Sequence, residues 1–286
     1  MKYGINVTNF GEDFTPRVLA ELAHEAEESG WDGFFIWDHI QSGRPRVDAG
    51  VVSPMVDPWI ALAAIAMRTE RIRIGPMVTP LPRRRPWKLA RETVTLDHLS
   101  NGRLTLGVGL GSPPGTEYEQ FGESGEAAVR AEMLDEGLDV LIGLWSGEPL
   151  TYEGQHYQVK GATFQPRPVQ QPRIPIWVAG MWPNKPPLRR AARYEGAFPL
   201  ASDPMRSLKP DDVQAIVQYV RGHRESHKPF DLVLAGTTSK DDPGETSERL
   251  SALANAGATW WQETLAPWLG SLEDMRQLVH KGPLGA

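Results

Sequence analysis

Gly33-Phe34-Phe35-Ile36-Trp37-Asp38-His39 is an unbroken apolar run that closes on an acid and an imidazole. A strand covered by helices on both faces is apolar at every position, whereas a strand with one wet face alternates. This run does not alternate, so it predicts a buried parallel strand with Asp38 and His39 at its carboxyl end. In (β/α)8 barrels that end surrounds the open mouth of a packed core, and catalytic residues collect there.

Working outward, Lys2 to Val7 reads as a strand that closes on Asn6, Thr8 and Asn9, and Thr15-Pro16 starts a helix that Gly30 stops. Downstream, Asp57-Pro58 caps a helix reaching Met67. Arg71 to Val78 is the third strand, and Trp87 to Leu99 is a helix ended by Ser100-Asn101-Gly102. Arg103 to Gly111 is the fourth strand, followed by an amphipathic helix from Ala127 to Trp145. Leu150 to Val159 reads as a β-hairpin. Ile174 to Gly180 is strand five, a loop from Met181 to Pro187 leads to a helix at Leu188 to Tyr194, and Gly196 to Leu200 is strand six. Helices at Asp211 to about Ser226, Pro243 to Ala256 and Ser271 to His280 enclose strands at Phe230 to Gly236 and Ala258 to Thr264. Eight strands and eight helices in strict alternation predict a closed barrel over an open sheet.

At 286 residues the chain suits one barrel domain spanning 1–286, with insertions at about 41–54, 112–125 and 147–172. A net charge of −6, from 36 acids against 30 bases, argues against a nucleic-acid partner. The absence of cysteine excludes disulfides and thiol catalysis. The first twenty residues lack a signal-peptide pattern and no stretch approaches 18 apolar residues, so the expectation is a cytoplasmic protein without a membrane partner. His98, His156, His223, His227 and His280 show no metal-like spacing, and no metal is expected.

Gly107, Gly109 and Gly111 replace side chains at the carboxyl end of strand four. Glycine weakens a strand, and close approach by another backbone or a flat ligand is the reason to tolerate it. Asp38 and His39 cannot both face a ligand unless the strand ends or bulges there, because neighbouring residues point to opposite faces. On alternation alone Glu263 shares a face with Trp261, where it would bind a substrate amine or hydroxyl, or pair with an arginine.

Trp31-Asp32-Gly33 leading into Trp37-Asp38-His39, Val78-Thr79-Pro80 with Leu89-Ala90-Arg91-Glu92, and Leu99-Ser100-Asn101-Gly102-Arg103-Leu104 into Gly107-Val108-Gly109 resemble blocks of the luciferase-like monooxygenase superfamily. Pro175-Ile176-Trp177-Val178-Ala179-Gly180 with Arg190-Ala191-Ala192-Arg193 is similar to a further block. The resemblance implies a TIM (β/α)8 barrel of the bacterial luciferase-like type. It also implies a flavin-type cofactor, FMN or the deazaflavin coenzyme F420, at the mouth, and a homodimer or higher homo-oligomer. Under it, His39 stands at the reactive edge of the ring as proton donor or acceptor, and Asp38 orients it or contacts the cofactor. Asn6 is a weaker contact, and Thr79 sits where a backbone irregularity would press on the ring. Gly107, Gly109 and Gly111 clear one wall. Beside Ala179, the N–H groups of Gly180, Met181 and Trp182 would meet a phosphate, with Gly236-Thr237-Thr238-Ser239 as the rival anion site. Arg83-Arg84-Arg85 would hold an anionic cofactor tail, or form a solvated loop or an oligomer contact.

The expected activity is F420-dependent hydride transfer with a small organic substrate of apolar character, as Trp37, Trp182 and Trp261 suggest. A reduced-FMN monooxygenase is the nearest alternative. A non-catalytic flavin-binding barrel is a further one, and a hydrolase with Asp38 and Glu263 as paired carboxylates is the last.

Overall fold

The computed structural model describes residues 1–41, 53–203, 206–238 and 242–283, so most of the expected loop at 41–54 lies outside the described residues. The apolar runs become strands: β1 Lys2–Val7, β2 Gly33–Ile36, β3 Arg73–Pro76, β4 Thr79–Pro80 and β5 Leu106–Gly109. β6 Leu150–Glu153 and β7 Gln158–Ala162 pair antiparallel as the expected hairpin. β8 Ile176–Trp182, β9 Gly196–Ala201, β10 Asp231–Gly236 and β11 Trp260–Leu265 complete the set. Between them run α1 Pro16–Glu28, α2 Pro58–Arg68, α3 Pro86–Leu99, the short α4 Pro114–Glu117, α5 Ala127–Trp145, α6 Lys185–Ala191, α7 Pro210–Arg221, α8 Pro243–Ala256 and α9 Leu272–His280.

The helix starts follow the cap chemistry. Thr15 Oγ1 accepts from Val18 N, and Asp57 Oδ1 accepts from the N–H groups of Trp59 and Ile60, each ahead of a proline at the first helical position. Such a cap contributes about 1 kcal/mol. None of the helices among the described residues is long and apolar enough to cross a membrane.

The large sheet is parallel and runs β3-β2-β1-β11-β10-β9-β8-β5-β4. It closes because β3 and β4 are halves of one barrel strand, separated by Met77 and Val78, whose peptide bond is cis. β4 pairs with β5, while below it Ile74 bridges the two residues flanking Leu104, Ile74 N donating to Arg103 O at 3.1 Å and Thr105 N donating to Ile74 O at 2.9 Å. The third strand, expected over Arg71 to Val78, is thus shorter as β3, and the barrel strand resumes beyond the expected end as β4, with the irregularity at Met77 and Val78 just ahead of Thr79. The loop expected from Met181 is also different: β8 continues to Trp182 because Met181 and Trp182 pair with Leu200 and Ala201 of β9.

Inside the barrel, Phe35, Met77, Trp177, Phe198, Val233 and Trp260 form a separate apolar cluster. The Phe35–Trp177 and Trp177–Trp260 ring centroids are each 5.3 Å apart. Burying each such side chain is worth about 1.5–3 kcal/mol, which makes this layer a solid plug. Room for the plug depends on glycine. A Cβ on Gly75 would lie 1.9 Å from Thr105 O, and one on Gly107 would lie 2.4 Å from Pro76 O. Both glycines serve strand-to-strand approach.

Candidate functional site

Above the plug, the carboxyl ends of the strands enclose a cavity of about 530 Å3. Met77 and Phe198 join it to the plug, Asn6 and Thr264 form one wall, and Val78, Gly109, Gly111 and Ala179 form the opposite one. Trp37, Asp38 and His39 stand at the rim.

The strand β2 stops at Ile36, which lets Asp38 and His39 diverge. The last ladder bond here runs from Trp37 N to Val7 O at 2.9 Å, and from there Asn9 takes over. Its Nδ2 donates to His39 O at 2.9 Å and its Oδ1 accepts from His39 N at 3.3 Å, so an amide side chain pins the imidazole's backbone. Asp38 turns into the protein, with no side-chain exposure. Its carboxylate accepts a fork from Arg84, Nη2 to Oδ1 at 2.9 Å and Nε to Oδ2 at 3.1 Å, a bond from Thr79 Oγ1 at 2.8 Å and another from Arg83. Burial pushes the Asp38 carboxyl up, but Arg84 and Arg83 outweigh it and hold the group below the usual carboxylate range.

His39 turns instead toward the cavity. Its Nδ1 lies 2.8 Å from Oε1 of Glu117, a fully buried carboxylate at the end of α4. Glu117 is also held by Arg83, so its oxygens accept and Nδ1–H donates, which leaves Nε2 free of this pair. Arg83 therefore bridges Asp38 and Glu117. The run Arg83-Arg84-Arg85 is neither solvated nor available to an anionic tail at its first two positions: Arg83 and Arg84 are committed to carboxylates.

The cavity is also lined by Arg130 of α5 and Arg190 of α6, only 6% and 9% exposed. Arg190 is neutralised by Asp135 at 2.6 and 2.7 Å. Arg130 donates to the carbonyls of Leu110 and Gly111 at 3.0 and 2.7 Å, and its buried Nε has no partner. It forms no bond to a carboxylate among the described residues. Arg130 lines the cavity with a charge that no carboxylate of the described residues offsets, which is suited to an anion, while its idle Nε is itself buried.

Of the expected site residues, Asn6, Asp38, His39, Gly109, Gly111, Ala179, Gly180 and Met181 line the cavity. Four others do not. Thr79 spends its hydroxyl on Asp38, and Gly107 sits against Pro76. Trp182 donates its indole N–H to Asp212 at 3.0 Å under the Lys185 ammonium. Glu263 accepts from Thr238 N at 2.8 Å and from the Trp261 indole at 3.1 Å, and burial pushes its carboxyl up despite those bonds. Asp38 and Glu263 thus belong to separate hydrogen-bond networks. The segment Gly180–Trp182 lies within the β8–β9 ladder, and Gly180 is required because a Cβ there would lie 2.1 Å from Pro187 Cβ. Ser239 of the rival anion site lies outside the described residues.

Sequence reasoning missed Asn9, Glu117, Arg130 and Arg190. Glu117 is 78 positions from His39 and carries no spacing signal. Among the described residues one group has metal-like proximity, His24, Glu27 and Glu28 on α1, but Glu27 already accepts from the N–H groups of Glu70, Arg71 and Ile72.

A second cavity of about 530 Å3 adjoins the first. The two share Trp37, His39, Ser112, Met181, Leu200 and Ala235, so His39 stands on the boundary. The second chamber mixes Phe10, Leu208 and Trp261 with Ser202, Arg206 and Arg249.

A family model described as luciferase-like monooxygenase matches residues 1–279. An F420-dependent glucose-6-phosphate dehydrogenase of Microbacterium testaceum is 37% identical over 184 residues, covering 64% of this chain and 52% of that protein. The chain thus spans about half the length of that relative. Among solved structures, the F420-dependent tetrahydromethanopterin reductase of Methanopyrus kandleri superposes with a TM-score of 0.74 at 18% identity, covering 98% of both chains. The monooxygenase RslO1 of Streptomyces bottropensis superposes with a TM-score of 0.79 at 21% identity, covering 98% of this chain and 96% of that one. At these identities the two structures share the fold.

Proposed function

The chain belongs to the luciferase-like monooxygenase family, and on that premise we propose that it is an F420-dependent oxidoreductase in which His39 carries the proton that accompanies hydride transfer. The observation that carries this reading is the imidazole held by a buried carboxylate on the wall between two cavities. The name of the Microbacterium relative, an F420-dependent dehydrogenase, supports the same choice.

The mouth fits the cofactor. Its volume lies within the usual range for small-ligand sites, about 300–1,000 Å3. Arg130 offers an uncompensated charge to the phosphate, and Asn6 Oδ1, buried and without a partner, offers an acceptor at the ring end. When bound, F420 supplies a two-electron carrier that gives or takes a hydride. The protein's own residues do the rest. A hydride leaving an alcohol carbon requires the hydroxyl proton to go elsewhere, and His39 Nε2 is the acceptor in reach of the second chamber; in the reverse direction it is the donor. Asp38 moves no proton, since two guanidinium groups hold it ionised and buried.

The substrate occupies the second chamber, whose mixed lining suits a small hydroxyl or carbonyl compound with polar as well as apolar parts. We assign the working form as a cytoplasmic homodimer. Helix α2 exposes Ile60 and Met67, 66% and 72% accessible and two helical turns apart, and light scattering that shows a monomer would remove that assignment.

The test is a titration of the protein with F420 and with FMN, followed by tryptophan quenching. F420 is expected to bind and FMN not. H39A is expected to keep F420 affinity while losing turnover with glucose-6-phosphate or secondary alcohols. Binding of FMN alone overturns the F420 reading, and unchanged H39A turnover overturns the role of His39.

A further inference from the structure

We propose that Arg83 is a positioning residue that keeps His39 neutral and in its Nδ1–H form by supplying the positive charge that buried Glu117 requires. This rests on the reading of His39 as the proton carrier, but the charge relation itself is a property of the chain alone.

The local structure places Arg83 with little freedom. It ends the 3-10 turn Leu81–Arg83 that follows β4, and β4 is fixed by its pairing with β5. From there its guanidinium reaches two carboxylates, Asp38 and Glu117, and its side chain is only 8% exposed. Neither carboxylate has any side-chain exposure. A carboxylate out of water must be paired, and an unpaired one costs several kcal/mol.

The charges in this cluster balance without His39. Asp38 has Arg84 as a fork and Thr79 as a further donor, and Glu117 has Arg83. Two negative and two positive groups leave the imidazole free to stay neutral. Remove Arg83 and the account changes at one place. Asp38 keeps Arg84, but among the described residues Glu117 keeps only His39, and the least costly compensation is a proton on Nε2 that turns the imidazole into an imidazolium. An imidazolium paired to a buried carboxylate is a poor proton acceptor, so the direction of the reaction that needs a base would stall.

Among the described residues, the other charged groups around His39 do not substitute for Arg83. On the side of α2, Asp57 is engaged in capping that helix and would add negative charge. Arg130 lies 5.1 Å from the ring of Tyr118, the neighbour of Glu117, but its hydrogen bonds go to the carbonyls of Leu110 and Gly111; Arg190 is held by Asp135, and Asp203, Arg206 and Arg249 line the second cavity. Against the imidazole itself are the rings of Phe10 and Trp37, with centroids 6.1 and 5.7 Å away, which carry no charge.

The experiment is a pH titration of the 15N-labelled full chain without cofactor or substrate, reading both ring nitrogens of His39 by long-range 1H–15N correlation, with H39A for assignment. In the parent protein the expected neutral form is the Nδ1–H tautomer. In R83M the midpoint for protonating Nε2 is expected to rise by about 1–3 units, the usual effect of leaving a histidine as sole partner of a carboxylate. In R83M/E117Q the rise is expected to disappear and the two neutral tautomers to mix. Should R83M not fold, R83K carries the test: an ammonium supplies charge without the fork that spans both carboxylates, and a smaller rise in the same direction is expected. A folded R83M, or failing that R83K, that titrates as the parent does would overturn the proposal. Failure of F420 to bind would leave it standing, and a flat titration would leave the F420 reading standing.

Discussion

Arg103 and Arg130 are both buried guanidinium groups, 8% and 6% exposed, at opposite ends of β5, and among the described residues neither bonds a carboxylate. Their donor inventories differ. Arg103 places its Nε and both terminal nitrogens on five acceptors: Ser100 O, Thr69 Oγ1, Ile72 O, Ala66 O and Thr69 O, at 2.7 to 3.0 Å. A guanidinium has five N–H donors, so nothing is left over. Arg130 reaches two carbonyls and keeps a buried Nε idle beside the cavity. Equal burial thus separates into a fully satisfied clasp at one end of β5 and, at the other, a cavity-lining guanidinium with an unmet donor, and donor satisfaction is what tells them apart.

The sharpest way to break that contrast is R103M, which orphans five buried acceptors at once. A loss of about 4 kcal/mol or more in urea unfolding is expected, with F420 affinity unchanged in the protein that remains folded. An affinity loss without a stability loss would reverse the assignment.

Next in size is D38N, which asks whether the rim behaves as clasp or receptor. Replacing the ionised partner of Arg83 and Arg84 is expected to cost about 3 kcal/mol at neutral pH. The pH dependence has a definite sign. Because the folded Asp38 carboxyl lies below its unfolded value, its contribution is full above about pH 4 and is lost as pH falls through the folded value. Urea midpoints measured against pH should therefore decline on the acid side in the parent and less so in D38N.

R130M inverts the first prediction. Stability is expected to move by less than about 1 kcal/mol, because an uncompensated buried charge is removed along with its two bonds. F420 affinity should fall by about 10- to 100-fold, or about 1.4–2.8 kcal/mol. Calorimetric titration reads the second number and a urea curve the first.

The smallest effect sharpens the comparison with an intermediate case. Arg190 lines the same cavity but already has Asp135 as counter-ion. R190Q is expected to weaken F420 binding only about threefold, about 0.7 kcal/mol by the same titration. A loss as large as that of R130M would mean that counter-ions do not decide which guanidinium receives the ligand.

Much of the barrel was legible in local pattern. The bounds of β1, α5 and α8 coincide with those read from periodicity and caps. The hairpin followed from loss of the helical period. The departures have physical causes. Met181 and Trp182 join a strand because β9 offers a ladder, which a proline count does not reveal. Gly107 meets Pro76 rather than a ligand, because a glycine permits either and only the neighbour decides. Arg83 and Arg84 read as a surface run because each is a charged residue in a proline-rich segment, and their carboxylates come from distant parts of the chain.

The sequence by itself determined the alternation of strands and helices and the place of Asp38 and His39 at the carboxyl end of β2. These are properties of neighbours within a few residues, where burial pattern and turn chemistry act directly. Only the tertiary structure decided that Asp38 is an anchor, that Glu117 holds the imidazole, and that Arg130 rather than Arg103 is left with an unmet donor. Each of those facts is a count of hydrogen-bond partners gathered from segments tens of residues apart, and no local pattern records which donors the closed barrel leaves unmet.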